Sequence, residues 1–152
     1  NPVNAIPPHA RAHCQIRFIQ GSKPEEFMPA LRRHLDKHGF SMVAIEPPPA
    51  SNTGHFDASR TDPDDPWALW AAAAIERTSG IKTAVIPQLG GSICNEIFTD
   101  TLGLASLWIP HSYTACSQHA PNEHILLSEA RDAIQIMAGV YWDLGEGNTP
   151  GN

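Results

Sequence analysis

The stretch "PPPASNTGHFDASRTDPDDP", Pro47 to Pro66, constrains the fold of this chain more than any other segment. It is rich in Pro, Asp, Ser and Thr and poor in apolar residues at the period of a helix or a strand, so it reads as a linker. The 152 residues are thereby divided into two structural units. Charge divides at the same place. Residues 1–59 hold six Lys/Arg against five Asp/Glu, and residues 60–152 hold four against eleven.

The first unit opens on "AHCQIRFI", in which Cys14, Ile16 and Phe18 alternate with His13, Gln15 and Arg17. That alternation predicts a half-buried strand with one polar face. A helix is expected over "GSKPEEFMPALRRHLDKHGF": Ser22 with Glu25 suggests a capping box, Phe27, Leu31 and Leu35 recur every four residues, and Gly39 supplies the stop. Pro29 should bend this helix or delay its start. "FSMVAIEP" reads as a second strand closed by prolines. Strand, helix and strand form a half-unit, with too few strands to close an α/β sandwich alone.

In the second unit, Asp65 as cap, Pro66 at the first turn and Gly80 as terminator enclose the helical body "WALWAAAAIERTSG". "KTAVIP" and "SLWIP" are short apolar runs suited to buried strands, separated by the Gly-rich "QLGGSICNEIFTDTLG", which leads into a short helical segment. From Ser128, the series Ala130, Ile134, Met137, Val140, Tyr141 and Leu144 predicts a long amphipathic helix ending at Gly145, followed by a disordered tail. The order of elements suggests α/β layers with a partly parallel sheet.

Composition narrows the function classes. A net charge of −6 argues against nucleic acid or an anionic membrane surface as partner. No apolar run approaches the ~20 residues of a membrane span. Three cysteines, at positions 14, 94 and 116, show no disulfide-framework spacing and fit a reducing, cytoplasmic setting.

The chemistry-bearing residues cluster in "CSQHAPNEH", Cys116 to His124. His119 lies in a loop after an expected strand end and before a helix, where α/β enzymes place ligands and catalytic groups. It reads either as a metal ligand or as an ordinary loop histidine. Cys116-x2-His119 has the spacing of one zinc-ligand pair, but no second Cys pair accompanies it, so Cys116 reads better as a small buried residue. In "GGSICNE", Gly90 and Gly91 let the backbone approach a bound group, and their N–H groups can hold a carboxylate or oxyanion. No Lys-Ser/Thr follows, which excludes a P-loop. A Ser92–His119–Asp100 set lacks a nucleophile elbow. Arg17, on the polar face of its strand, is either solvated or a bidentate carboxylate clamp.

Three pieces, "NPVNAIPPHARAHCQIRF", "GGSICNEIFTDTLGLASLWIPHS" and "QHAPNEHI", together resemble, in order and separation, the C-terminal portion of the M20 metallopeptidase and aminoacylase family. This family includes succinyl-diaminopimelate desuccinylases, acetylornithine deacetylases and carboxypeptidase G-type enzymes. The resemblance implies an α/β fold: the C-terminal part of a zinc-peptidase-like catalytic domain (residues 58–152) preceded by the end of an α+β lid and dimerisation domain (residues 1–57). It implies two zinc ions per active site in the complete enzyme, polarising the scissile carbonyl and activating water, with a Glu as general base. His119 falls on the family's last metal ligand. Arg17 falls on the lid arginine that binds the substrate carboxylate, and Asn4 on the Asn of the same lid motif. Gly90, Gly91 and Ser92 fall on the glycine-rich loop that contacts substrate.

The remaining ligands of the family, its H-x-D motif, bridging Asp and Glu-Glu pair, have no counterpart here, nor has the lid histidine. The expected function is therefore a segment of a metal-dependent hydrolase of amide bonds in N-acyl amino acids or small peptides, inactive in isolation. Its expected partners are the N-terminal catalytic segment, a small-molecule or peptide substrate, and a second copy joined through the lid. The alternative is a non-catalytic binding module that keeps the scaffold without a working metal site. A third reading, a self-contained zinc protein, predicts tight metal binding and unfolding with chelator.

Overall fold

The computed structural model describes residues 6–47, 56–91 and 93–151. Three α-helices organise it: α1 (Phe27–Lys37), α2 (Pro66–Ser79) and α3 (Leu127–Gly145), with a 3-10 turn at Pro24–Glu26 and a π-helical turn at Ile97–Thr101.

The first helix departs from its expected start. Ser22 and Glu25 do not form a capping box. The chain enters through the 3-10 turn with Lys23 at its N-cap, and no side chain caps either that turn or α1. Pro24 is pre-set for a first helical position. Pro29 falls in the first turn of α1, where a missing N–H costs nothing, and the α-helix proper is delayed to Phe27. The stop is as expected. The Phe40 N–H donates to the Leu35 carbonyl (2.8 Å) and the Gly39 N–H to that of Asp36 (3.2 Å), a Schellman closure with Gly39 at φ 81°.

Both ends of α2 follow the local signals. The Asp65 carboxylate accepts from the Trp67 N–H at 2.8 Å, Pro66 takes the first position, and Gly80 donates to the Glu76 carbonyl from a left-handed conformation.

Packing of α2 against α3 makes the core. Ala68, Ala71 and Ala74 recur every three residues and are buried, as is Val140 of α3; Cys116 is the other buried apolar residue among the described residues. Small side chains permit close approach. An added β-carbon on Gly139 would lie 2.0 Å from Thr78 Oγ1. Arg77 pairs with Asp143 at 2.6 Å across the same contact. The packed face of α3 differs from the expected stripe. Ala130, Ala133, Ile136, Met137 and Val140 turn inward, whereas Ile134 (70% exposed) and Tyr141 (67%) lie outside. The segment after α3 also departs from disorder: the Asn148 carbonyl accepts from Trp70 Nε1 at 2.8 Å, which folds the tail onto α2.

No β-strand is present among the described residues, so an α/β catalytic sheet is not shown. "AHCQIRFI", "FSMVAIEP", "KTAVIP" and "SLWIP" lie outside any strand pairing. Alternation tells which face of a strand would be buried, but a strand exists only where a neighbour completes its hydrogen-bond ladder. The faces are correspondingly open, with Ile16 53%, Val85 47%, Ile86 67% and Trp108 52% exposed. The chain presents 12411 Å² to solvent. A folded monomer of this mass exposes about 7,500 Å².

Candidate substrate loop and metal-ligand loop

Two of the residues singled out for substrate binding meet. Arg17 Nη1 donates to the Gly90 carbonyl at 3.0 Å, joining positions 73 apart in sequence across the linker. Arg17 is exposed, and this bond uses one of the five N–H donors of its guanidinium. Gly91 adjoins this contact with its N–H donating to the Leu89 carbonyl at 2.9 Å. A β-carbon there would lie 2.8 Å from Cζ3 of the Trp108 ring, so the indole packs against a position that glycine alone can occupy without displacement. The loop is thus held between an arginine and a tryptophan. Asn4 and Ser92, the other two residues of the expected set, lie outside the described residues. Thr61, at the end of the linker, accepts from the Ser106 N–H (2.9 Å) and donates to its carbonyl (2.8 Å), anchoring "SLWIP" and hence Trp108.

His119 belongs to a separate, tightly wound loop. Ser117, His119 and Asn122 all have positive φ (58°, 61° and 65°). For residues other than glycine this conformation costs about 1–2 kcal/mol each, so the loop's hydrogen bonds must hold it. Four backbone donors do: Ala120 N–H to the Ser117 carbonyl (2.9 Å), Glu123 N–H to the Ala120 carbonyl (3.2 Å), His119 N–H to Glu123 Oε2 (3.2 Å), and His124 N–H to the Cys116 carbonyl (3.1 Å). Buried Cys116 is the apolar anchor of the loop, as its residue type suggested.

His124 has a defined role. Its Nδ1 lies 2.8 Å from the Asn122 carbonyl and its Nε2 lies 2.5 Å from the Tyr113 hydroxyl. A carbonyl only accepts, so Nδ1 carries the proton, and neutral His124 accepts the tyrosine O–H at Nε2. Both ring nitrogens are used, so His124 holds the loop together. The Tyr113–His124 pair lines a cleft of about 330 Å³ together with His111, Cys116, Gln118 and Glu123.

The residues present do not by themselves hold a zinc pair. Among the described residues no group of three or more His, Cys, Asp or Glu is arranged to bind a metal. His119 is exposed, and Glu123 Oε2 accepts from the His119 backbone N–H. No hydrogen bond, ion pair or ring contact joins His119 to Arg17 or Gly90. Two features escaped the sequence reading. Glu96, at the start of the π-helical turn, keeps Oε2 buried without a hydrogen-bond partner among the described residues. His34 and His38 face one another at the C-terminal end of α1; their H-x3-H spacing was the available signal.

Residues 1–43 match the peptidase dimerisation domain of the M20 family. The match supports M20 membership, and it falls within the first unit, on the segment that carries Asn4 and Arg17. A dimerisation domain points to a homodimer. No curated protein and no solved structure matches the chain significantly. No helix among the described residues is long and apolar enough to cross a membrane.

Proposed function

We propose that this chain is a segment of an M20-type, zinc-dependent hydrolase that cleaves amide bonds of N-acyl amino acids or small peptides. The observation that carries the reading is the contact between Arg17 and Gly90. Arg17, the candidate carboxylate clamp, and Gly90, of the candidate substrate loop, are neighbours through this bond, which supports the reading. A free substrate carboxylate reaching the remaining donors of Arg17 would lie against that loop. His119 contributes one metal ligand, and the other ligands come from catalytic-domain sequence outside this segment.

The large exposed area and the unpaired extended runs support the same reading. About 5,000 Å² beyond that of a folded monomer is several times the ~800 Å² that one partner contributes to a standard protein–protein interface. Such an excess fits segments that complete a shared sheet and core. Three free cysteines fit a cytoplasmic setting for the whole enzyme.

Two observations test the proposal. The frame upstream of Asn1 should encode an H-x-D motif and a Glu-Glu pair; a frame without them overturns it. In the longer polypeptide, His119→Ala should lower bound metal and turnover together. The rival reading, a binding module without a metal site, predicts unchanged metal content and no turnover.

A further inference from the structure

His34, in the last turn of α1, and His38, its C-cap residue, lie four residues apart, with ring centroids 4.4 Å apart and ring planes tilted by 41°. Residues at i and i+4 stack on one helix face. Both side chains are exposed, and no hydrogen bond or ion pair is formed by either ring among the described residues. We propose that these two imidazoles form a chelate for a divalent transition-metal ion (nickel, copper or zinc), with water in the remaining coordination positions.

Ligand chemistry and the placement of the pair carry this. Imidazole suits these three metals. Two nitrogens bound to one ion at about 2.0–2.1 Å stand roughly 3 Å apart, and the two ring centroids already lie 4.4 Å apart. The pair lies at the C-terminal end of α1, with His34 in the last turn and His38 at the C-cap, where the helix dipole favours a cation. The last turn is also closed by the Gly39 and Phe40 hydrogen bonds, so the two rings sit on a fixed backbone.

The neighbouring carboxylate does not join as a third ligand. Asp36 is held by Arg32 at 2.7 Å, and Arg32 is itself fixed by the carbonyls of Val43 (2.6 Å) and Phe40 (3.2 Å). The site is therefore a two-histidine chelate, distinct from the loop of His119 and independent of whether the chain belongs to a hydrolase.

Nickel titration of the 152-residue chain, followed by calorimetry, tests the proposal. The parent should show a chelate-strength site that His34→Ala and His38→Ala each weaken by about tenfold or more, whereas His119→Ala leaves it unchanged. Saturation should also raise helicity by clamping the last turn of α1. Since His38 is a C-cap residue, His34→Gln serves as the second variant, with far-ultraviolet circular dichroism verifying that α1 persists. Parent-like affinity in both His34 variants and in His38→Ala would overturn the proposal, as would loss of the site in His119→Ala.

Discussion

Gly139 of α3 and Thr78 of α2 touch so closely that no β-carbon fits between them. The hypothetical methyl would lie 2.0 Å from Thr78 Oγ1 and 3.0 Å from both Thr78 Cβ and Cγ2. Gly139→Ala should destabilise the α2–α3 pair by about 1–3 kcal/mol through overpacking, although alanine improves helix propensity by about 1 kcal/mol. Adding Thr78→Ala should restore most of the loss. Urea unfolding of the single and double variants measures this, and simple additivity would show that the two positions do not clash.

Asp65 caps α2 through the Trp67 N–H at 2.8 Å. Asp65→Ala should cost about 1 kcal/mol and Asp65→Asn much less, because the amide oxygen still accepts. Hydrogen exchange at the Trp67 amide reads the cap directly, and it should quicken in the alanine variant alone.

The Tyr113 hydroxyl and the Asn122 carbonyl hold the His124 ring from its two nitrogens. Nitrogen chemical shifts of neutral His124 should report a proton on Nδ1. Tyr113→Phe should keep that tautomer and release Nε2 to solvent, weakening the loop by about 1 kcal/mol. A proton found on Nε2 would contradict the hydrogen-bond assignment.

Arg17 should matter most for substrates with a free carboxylate. In the complete enzyme, Arg17→Met should raise KM by about 10- to 100-fold, the range of a charge-assisted hydrogen bond of about 1.5–3 kcal/mol. The effect should vanish for a substrate whose carboxylate is amidated. Equal losses on both substrates would assign Arg17 to holding Gly90 instead.

The helix ends were legible because they depend on neighbours in sequence. Asp65, Pro66 and Gly80 bound α2, and Gly39 closes α1, through hydrogen bonds that span a few residues. Cys116 was legible as a buried anchor from its residue type. The apolar series of α3 identified a helix without saying which side packs, since Ile134 and Val140 both belong to it while only Val140 is buried. The capping box at Ser22 failed because Pro24 set a 3-10 entry first.

Contacts between distant positions needed the tertiary structure. Nothing local in "AHCQIRFI" says that Arg17 reaches the Gly90 carbonyl, or whether a partner strand lies alongside. Pairing of His124 with Tyr113, and the seat of Gly139 on Thr78, likewise depend on where the chain returns. Local hydrogen bonding and backbone preference determine where helices start and stop. Which faces meet, and which extended runs find a ladder, is decided by burial across the whole assembly, and here much of that apolar surface still faces solvent.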